Sequence, residues 1–590
     1  MESMKRTATC GELTASAVGR EVTLNGWVHR VRDYGRIKFL DLRDRYGLTQ
    51  VVVDADAPAE LKAAAEELKN EYTVAVEGVV RGRPQNMVNP NMPTGQIEVQ
   101  ARRLAVLARC TTLPFQIDER TEAREELRFK YRFLDLRSFG MQRRIRLRHV
   151  VTFAVREYLA GRGFYEIDTP TLIRSTPEGA RDFLVPSRLH AGKFYALPQS
   201  PQLYKQLLMV SGFDKYFQIA RCYRDEDARG DRQLEFTQID IEQSFVSKDD
   251  IFEVVEGLLA HVFRKALDRE LPIPFPRLPY VEAMNRFGSD KPDLRYGLEL
   301  KDFGALAGKG EFEVFRKLIA GGGTVKALVA PGCGAYSRKE LGALEEVAKV
   351  YGAAGLAWMK VTESGLEGGI AKFYAALSAE LVRELGASPG DLVLLVGADW
   401  KKACTALGAV RSQLGRDLKL VGAEQFHFSW IVDFPMFEWN EQEGKWDPAH
   451  HMFTMPQEKY LSSLESDPGS VKGDLYDLVC NGVELASGSI RVHDPELQSR
   501  IFKVVGINEE EARARFGFLL EAFRYGPPPH GGIAPGLDRL VTLMAGESSI
   551  REVIAFPKNT LGQSPMDDCP AEVDPQQLAD LHLRVLAEEK

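Results

Sequence analysis

Short stretches in which apolar and polar residues alternate dominate the first hundred residues of the chain. Alternation with a period of two predicts β-strands that bury one face. Five such strands are predicted, and a helical segment from Pro58 to Asn70 separates the third from the fourth. Five short strands with one helix at this point follow the order of an OB-fold barrel. The predicted strands are residues 21–28, 37–42, 49–54, 72–80 and 95–100.

After the barrel the pattern changes twice. Residues 109–140 are charged and irregular, which predicts a hinge, and Arg143–Leu159 has apolar residues at helical spacing. Residues 300–424 are rich in Ala and Gly, whereas the residues on either side share an aromatic-rich composition. We therefore predict an inserted domain. The predicted segments are a barrel domain (1–108), a hinge (109–140), a main domain in two parts (141–299 and 425–556), the insert (300–424) and a C-terminal extension (557–590).

The bulk composition limits the classes of protein that fit. With 590 residues, 44% of them hydrophobic and 27% charged, the chain is expected to form several globular domains. It has no run of eighteen apolar residues and no apolar core of a secretory signal near Met1, so we expect a cytoplasmic protein. The seven cysteines lie far apart without metal-ligand spacing, which predicts reduced thiols.

One basic segment changes the interpretation of the overall charge. The formal net charge of −8 argues against a non-specific nucleic-acid coat. Between Trp27 and Arg45, however, six Lys or Arg residues stand against three Asp, and Tyr34 and Phe39 are interleaved. A basic barrel surface with aromatic side chains is typical of single-stranded nucleic-acid binding. The alternative, in which Phe39 belongs to the barrel core, stays open.

Residues from distant segments of the chain could together bind a nucleotide. Arg224 follows an apolar strand, and its guanidinium can hold a phosphate at two points. Glu226 would point the same way if that strand continued, and could then read an adenine amino group. Phe236 on the returning strand could form one wall of a purine slot. Arg539 follows a Gly- and Pro-rich loop and begins a helix, so it could cover the other face of the base or meet the terminal phosphate.

Two carboxylates suggest a metal site beside the nucleotide. Asp477 and Glu484 flank Asn481-Gly482, a turn signal that predicts a β-hairpin with the two acids facing each other. Carboxylates in a nucleotide site commonly hold Mg²⁺. To bring Arg491 to the same face as Glu484, the strand would have to bend at Ser487-Gly488. Ordinary solvated acids are the alternative.

A third group of residues suits a small charged ligand. Ser200, Gln202 and Lys205 enter a helix, where they could bind an anion, and the Gly- and Pro-bearing loop 175–182 could close over an amine. Of the tandem pair His450 and His451, one ring could meet a ligand carboxylate. An ordinary polar loop and helix start remain the alternative for these segments.

Together these motifs resemble those of the bacterial-type aspartyl-tRNA synthetases, which are class II (subclass IIb) aminoacyl-tRNA synthetases, over essentially the whole chain. The resemblance implies a multidomain α/β protein with an OB-fold barrel, a catalytic domain on a mixed, largely antiparallel sheet flanked by helices, and an inserted α+β domain. The segments that carry it are motif 1 (163–170), motif 2 (217–242), motif 3 (536–539), the loop 175–182, the segment 199–205, residues 288–295 and the insert.

The resemblance also implies roles for individual residues, with Arg224 and Arg539 as the catalytic pair. The residues implied to contact ATP are Arg224, Asp225, Glu226, Gln233, Phe236, Glu484, Gly536, Leu537, Asp538 and Arg539, with Asp477 and Glu484 holding Mg²⁺. Those implied to surround L-aspartate are Glu178, Ser200, Gln202, Lys205, Arg224, Asp240, His450, His451 and Arg491. Those implied to read the anticodon of tRNA-Asp are Arg32, Phe39, Gln50, Asn86 and Glu98, and motif 1 with Pro170 implies a homodimer.

The sequence departs from the family in two loops. The histidine loop reads His-His-Met-Phe-Thr-Met from residue 450, where the family usually has His-His-Pro-Phe-Thr-Ser. The segment Glu-Leu-Ala-Ser-Gly-Ser from residue 484 replaces a run of three glycines. Both departures concern the local shape of the loops rather than the charged residues.

The implied reaction has two steps, aspartyl-adenylate formation from aspartate and ATP and then transfer to the 3′ end of tRNA. Lys205 and Arg491 favour aspartate, because a neutral amide would leave a cation poorly paired. The alternatives are an asparaginyl- or lysyl-tRNA synthetase, an inactive RNA-binding paralogue and an asparagine synthetase. Whether tRNA-Asn is also charged depends on residues near His29, Arg30 and Tyr34, and the sequence leaves this open.

Overall fold

A computed structural model describes residues 5–118, 122–176, 180–422 and 425–586. The chain forms two compact units. The first contains residues 1–146, 555–559 and 564–569, and the second contains 147–554, 560–563 and 570–590. In the described ranges, no helix combines the length and the apolar character that crossing a membrane requires.

The first unit contains the predicted OB-fold barrel. Its elements are β1 (Glu21–Asp33), β2 (Lys38–Asp44), β3 (Gly47–Val53), α1 (Ala59–Glu66), β4 (Thr73–Gly82) and β5 (Ile97–Ala108). The strands form a closed barrel in the order β1-β2-β3-β5-β4, with α1 between β3 and β4 as predicted. β1 is long enough to pair with β4 along its first half and with β2 along its second, and an irregularity between Val28 and Arg30 bends it.

The segment predicted to be an irregular hinge contains short helices. They are α2 (Glu125–Lys130) and α3 (Arg132–Asp135), followed by α4 (Phe139–Gly161). Arg132 is only 1% exposed; it pairs with Asp135 and donates from Nε to the carbonyl oxygen of Ala555 at 2.9 Å. Charged residues can be buried when they are paired, so the charged composition of this segment does not require an irregular, solvated chain.

The second unit is built around an eight-stranded mixed sheet. The elements before the insert are β6 (Tyr165–Glu166), β7 (Leu184–Pro186), β8 (Phe194–Ala196), α5 (Gln202–Val210), β9 (Lys215–Tyr223), β10 (Glu235–Ser244), α6 (Lys248–Leu267), β11 (Arg277–Pro279) and α7 (Tyr280–Phe287). α6 begins with a capping box between Ser247 and Asp250.

The inserted segment has a sheet of its own. Its elements are β12 (Leu300–Asp302), α8 (Gly304–Lys309), α9 (Glu313–Ala320), β13 (Thr324–Ala330), α10 (Arg338–Val350), β14 (Ala357–Thr362), β15 (Gly365–Glu367), α11 (Ser378–Leu385), β16 (Leu392–Ala398) and α12 (Trp400–Asp417). The strands run antiparallel in the order β12-β13-β16-β14-β15. Apolar side chains of α10 and α12 pack on one face, and those of α8, α9 and α11 pack on the other.

The chain then returns to the main sheet. The remaining elements are β17 (Phe428–Val432), β18 (Phe437–Asn440), β19 (Lys445–Pro448), β20 (Leu475–Cys480), β21 (Val483–Ile490), α13 (Pro495–Val504), α14 (Glu509–Ala522), β22 (His530–Pro535), α15 (Leu537–Ala545) and α16 (Pro575–Asp580). The sheet order is β11-β17-β20-β21-β22-β10-β9-β6, antiparallel except for the β11–β17 and β6–β9 pairs at its edges.

The two faces of this sheet differ in chemistry. On β10, Ile239 and Ile241 point into the apolar core formed with α4, α6 and α15. Because successive strand residues point to opposite faces, Asp240 and Glu242 lie on the other side. Both are at most 1% exposed, so the sheet carries buried acids under a cleft.

Candidate active site

A cleft of about 530 Å³ lies over the polar face of the main sheet. Most of the residues predicted to bind ATP or aspartate border it, although they come from distant parts of the chain. The bordering residues are Ser200, Gln202, Lys205, Arg224, Glu226, Gln233, Phe236, Asp240, His450, His451, Glu484, Arg491, Gly536, Asp538 and Arg539.

A buried network of two cations and two acids forms one end of the cleft. Lys205 Nζ lies 2.9 Å from Asp240 Oδ1 and 3.1 Å from Glu242 Oε2. Arg491 donates from Nε and Nη2 to the two carboxylate oxygens of Glu242, at 2.9 and 3.2 Å, and from Nη1 to Ser489 Oγ at 2.7 Å. These charged side chains are at most 5% exposed.

The two acids of this network titrate in opposite directions. Burial raises the pKa of Asp240, and Lys205 offsets this effect only in part. Burial also acts to raise the pKa of Glu242, but the charges of Arg491 and Lys205 prevail and lower it to about 2. Glu242 is therefore the ionised partner of the cations. Our site prediction missed it, although its place two residues after Asp240 puts it on the same face of the strand.

This network corrects the sequence argument about substrate charge. That argument assumed that Lys205 and Arg491 would lack a partner when the ligand is a neutral amide. In the structure both cations are already paired with Asp240 and Glu242. A neutral amide would thus not leave a cation bare, and discrimination has to rest on the donors that still face the cleft.

Three polar atoms of the cleft still need a partner. Among the residues that the structure describes, no hydrogen-bond partner reaches Gln202 Nε2, Asp240 Oδ2 or Arg224 Nε, although all three atoms are buried. A buried polar atom without a partner is costly, and a ligand that pairs with it recovers that cost. The cleft therefore offers one acidic acceptor and two donors to a ligand that carries an ammonium and an anionic oxygen.

Arg224 and Phe236 form the next part of the cleft. The Arg224 guanidinium lies over the Phe236 ring, 5.0 Å from its centre. Strand β9 ends at Tyr223, and the backbone turns there, with Glu226 N donating to Arg224 O at 3.0 Å. The strand therefore does not continue to Glu226, so the condition under which Glu226 would point the same way as Arg224 is not met. Glu226 still borders the cleft, with Oε2 3.3 Å from Arg232 Nη1.

Motif 3, residues 536–539 at the start of α15, contains an arginine that borders the cleft with its charged group and two residues that are buried. Arg539 borders the cleft and donates from Nη1 to Glu484 O at 2.9 Å, while Nη2 lies 3.5 Å from Asp231 Oδ2. Asp538 is buried; it accepts from Thr237 N at 2.7 Å and pairs with Arg148, so it joins α15 to β10. The Leu537 side chain is part of the apolar core.

Asp225 does not border the cleft, and its Oδ2 lies 3.5 Å from Nε of Arg181. Glu178 lies outside the described residues, so the structure says nothing of its predicted contact with the amino group. Later in the chain, Asp182 accepts from Ser175 Oγ at 2.8 Å and from Gln199 Nε2 at 2.6 Å.

The hairpin with the predicted metal ligands contains a bulge. Asn481 and Gly482 both have positive φ, 55° and 82°, as a type I′ turn requires. Leu478 pairs with Ala486 but Val479 pairs with Glu484, so the residue between them, Leu485, is extra. This bulge places Glu484 on the same face as Asp477 and Arg491. The bend thus occurs at Leu485 and not at Ser487-Gly488 as expected.

Asp477 and Glu484 form a pair of neighbouring carboxylates. Burial and the charge of Glu484 raise the pKa of Asp477 well above its usual value. In the described ranges, Asp477 Oδ1 is buried without a hydrogen-bond partner. A buried acceptor beside a second, partly exposed carboxylate suits a hard cation whose remaining ligands are phosphate oxygens and water.

The two histidines lie in a loop and not on a strand, so both rings can border the cleft. His450 contacts the ring of Phe434 edge-on at 5.0 Å, and His451 Nδ1 accepts from Phe453 N at 3.1 Å.

In the barrel, three of the five predicted anticodon residues form a chain of hydrogen bonds. Arg32 Nη2 donates to Gln50 Oε1 at 3.0 Å, and Gln50 Nε2 donates to Glu98 Oε2 at 2.7 Å. Phe39 is opposite Arg32 on the neighbouring strand and is half-buried against Tyr34, outside the barrel core. Asn86 is exposed in the short turn Gln85–Met87.

Motif 1 presents apolar side chains to solvent. Pro170 is exposed, as are Tyr165, Leu172 and Phe153, of which Phe153 is 65% exposed. Contiguous exposed apolar patches commonly mark interaction surfaces.

With this geometry in view, comparison with known proteins identifies the family. The family described as tRNA synthetases class II (D, K and N) matches residues 124–560, and the OB-fold nucleic acid binding domain family matches residues 22–107. The chain therefore belongs to the class II tRNA synthetases of the D, K and N group.

Two full-length relatives within this group bear the same name. The chain is 62% identical over 586 residues to the aspartate–tRNA(Asp/Asn) ligase of Treponema denticola, covering 99% of each protein. It is 54% identical over 589 residues to the aspartate–tRNA(Asp/Asn) ligase of Moorella thermoacetica, covering 100% of this chain and 98% of that protein. Its fold is similar to the crystal structure of asparaginyl-tRNA synthetase from Pyrococcus horikoshii, with a TM-score of 0.60, 20% identity and coverage of 97% and 100%.

Proposed function

We propose that this chain is an aspartate–tRNA ligase, which activates L-aspartate with ATP and transfers the aspartyl group to the 3′ end of tRNA-Asp. The observation that carries the proposal is the continuous cleft from the buried Lys205–Asp240–Glu242–Arg491 network to Arg224 and Phe236. It provides an amino-acid pocket and a nucleotide pocket that share one arginine. The names of the full-length relatives support the same function.

In the first step the α-carboxylate of aspartate attacks the α-phosphorus of ATP, a new C–O–P linkage forms and pyrophosphate leaves. Arg224 lies between the two pockets, so its guanidinium can bind the carboxylate and the α-phosphate together and stabilise the charge that builds up during attack. Phe236 and Arg539 would enclose the adenine. No protein nucleophile is needed, because the enzyme positions two substrates that react with each other.

Asp477 and Glu484 would hold Mg²⁺, whose charge would offset that of the ATP phosphates when it is bound. The buried acceptor Asp477 Oδ1, for which the described part of the chain offers no hydrogen bond, fits this role.

Selectivity for aspartate follows from the donors that the network still presents. Asp240 Oδ2 would accept from the substrate ammonium. The remaining N–H groups of Lys205 and Arg491 would donate to the side-chain carboxylate. The amide of asparagine has only one acceptor oxygen and would turn an NH₂ group toward these donors, which costs binding energy.

We further propose that both tRNA-Asp and tRNA-Asn are substrates, since the names of the relatives specify Asp/Asn. The barrel would read the anticodon with the polar groups of Arg32, Gln50 and Glu98 and with the ring of Phe39. The protein would act in the cytoplasm as a homodimer joined through the apolar surface around Pro170, and sedimentation velocity of the unaltered chain tests the dimer.

ATP–pyrophosphate exchange tests the proposed activity. With aspartate the chain should catalyse exchange, whereas asparagine and lysine should support little or none. Charging of purified tRNA-Asp and tRNA-Asn then tests the second step and the choice of tRNA. Exchange that depends on asparagine or lysine, or no exchange with any amino acid, would refute the proposal.

A further inference from the structure

The loop between α7 and β12, residues 288–298, brings one more cation to the cleft. Lys291 borders the cavity, and its Nζ lies 4.0 Å from Oε2 of Glu484. Its side chain is 48% exposed, so it is accessible to a ligand. Burial and the charge of Glu484 raise the pKa of Asp477, whereas the positive charge of Lys291 acts to lower it. The loop therefore contributes a positive charge at the proposed metal and phosphate end of the site.

The same loop is held from the other side by Arg411 of α12, in the inserted segment. The Arg411 side chain is 1% exposed. Its guanidinium donates to the carbonyl oxygens of Asp293, Tyr296, Gly297 and Leu298, at 2.8–3.1 Å. It also lies over the Tyr296 ring, 4.2 Å from the centre. A single buried side chain thus holds four backbone carbonyl groups of this loop, which has little regular structure of its own.

One close backbone approach and one ordinary van der Waals contact position the loop further. A Cβ on Gly288, where φ is +68°, would lie 2.2 Å from Cys404 O and 2.6 Å from the Cα of Gly408, so the loop begins pressed against α12. On its opposite side, the position of a Cβ on Gly482 is 3.4 Å from the Cβ of Asp293. The loop is therefore held between α12 and the β20–β21 turn that leads into Glu484.

We propose that the inserted segment sets the affinity of the site for ATP. Arg411 is the positioning residue that fixes the loop, and Lys291 is the ATP-binding residue that the loop presents to the phosphates at the pyrophosphate end of the nucleotide. An ammonium 4.0 Å from Glu484 is near enough to contact phosphates that share a cation with that carboxylate. This inference rests on the proposed function, because it assigns the ligand of the same cleft.

The test separates the ATP site from the aspartate site. Lys291→Met should raise the KM for ATP in pyrophosphate exchange by about tenfold and change the KM for aspartate by less than about twofold. Arg411→Lys keeps the charge but loses the five-donor fork, so it should show the same split. If Arg411 acts through Lys291, the double variant should resemble Lys291→Met alone, since coupled residues are not additive. Titration with α,β-methylene-ATP should show the same loss of affinity without turnover.

Arg286→Lys is the matched control. Arg286 lies on α7 at the start of the loop, but it is exposed and pairs with Glu282 and Glu299, so its substitution should leave both KM values unchanged. A normal affinity of Lys291→Met for ATP would overturn the inference, and because Lys291 is exposed this variant is decisive even if Arg411→Lys folds poorly. Additive effects in the double variant would refute the role of Arg411. If the unaltered chain shows no aspartate-dependent exchange, the proposed function fails, while the titration still tests the inference.

Discussion

Arg491 and Glu242 form a two-point ion pair in the interior of the second unit, with Arg491 Nε and Nη2 at 2.9 and 3.2 Å from the two carboxylate oxygens. The residues are 249 positions apart and come from the end of β21 and from β10. Glu242 thereby orients the guanidinium whose Nη1 donates to Ser489. Loss of either partner would leave the other charge buried without a counter-charge, which is costly. The pair therefore makes this end of the cleft a preformed surface.

The first prediction is that Glu242→Gln destabilises the protein, because it leaves Arg491 and Lys205 without their ionised partner. Removal of one member of a buried pair costs about 3 kcal/mol or more. The folded chain holds the pKa of Glu242 at about 2, below its ordinary value of 4.5. Its stabilising contribution is therefore fully present above that ordinary value and is lost as the pH falls toward the folded pKa.

Thermal unfolding of the unaltered chain and of Glu242→Gln at several pH values measures this effect. The difference in melting temperature should be largest near neutral pH and should shrink as the medium is acidified below the ordinary pKa of the carboxyl group. Glu235→Gln is a suitable control, because Glu235 lies on the same strand but pairs with Arg221 near the surface. A difference that stays constant with pH would contradict the assigned pKa.

The second prediction concerns Asp240→Asn, which keeps the shape of the side chain and removes its charge. Asp240 Oδ2 is the buried acceptor that we assign to the substrate ammonium. Loss of a charged hydrogen bond of about 2–3 kcal/mol should raise the KM for aspartate by about 30- to 150-fold. The KM for ATP should change little, since Asp240 lies at the amino-acid end of the cleft.

Pyrophosphate exchange at varied aspartate and varied ATP provides both constants. Asp249→Asn serves as the control, because Asp249 is exposed and pairs with Arg277. An equal increase in both KM values would show that the substitution disturbs the whole cleft and not the ammonium contact.

The third prediction is that Arg224→Ala lowers the rate of exchange by about a thousandfold or more, because it removes the cation that joins carboxylate and α-phosphate. Arg221→Ala, three residues earlier on β9, removes an exposed arginine paired with Glu235 and should retain nearly full activity. Near-normal exchange by Arg224→Ala would remove the central step of the proposed mechanism.

The barrel and the β20–β21 hairpin were predictable because they depend on local sequence patterns. Alternation with a period of two, the helix Pro58–Asn70 and the Asn481-Gly482 turn are local signals, and the structure has a barrel strand, α1 and a hairpin at those places. Local turn chemistry fixes backbone geometry within a few residues, so a single sequence is enough to predict it.

Other features depended on tertiary contacts that a single sequence does not contain. The bulge at Leu485 is a shift of one residue in strand pairing, and both strands alternate normally around it. The pairing of Lys205 and Arg491 with acidic residues depends on the folded sheet, in which β10 and β21 lie on either side of β22. The sequence does not show which strands are neighbours. The charged segment around Arg132 was predicted to be irregular, because the sequence does not show the contact from Arg132 Nε to the carbonyl oxygen of Ala555, 423 positions away.

The fourth prediction separates anticodon recognition from amino-acid activation. Arg32 lies in the first unit, where it donates to Asp41 at 2.7 Å and to Gln50 at 3.0 Å. Arg32→Ala removes a cation from the surface that we propose reads the anticodon. It also removes the hydrogen bond that Gln50 Oε1 accepts. The kcat/KM for charging tRNA-Asp should fall by about tenfold or more, as expected for the loss of a contact of about 1–3 kcal/mol.

The same variant should catalyse pyrophosphate exchange at the normal rate, because exchange requires no tRNA. Arg102→Ala is the matched control: Arg102 is an exposed barrel arginine on β5 that pairs with Glu21, away from the Arg32–Gln50–Glu98 chain. If both variants lose charging activity equally, the barrel contributes only general positive charge. If Arg32→Ala alone loses it and exchange is unchanged, the polar chain on the barrel is the surface that selects the tRNA, because an effect confined to one arginine cannot come from net charge.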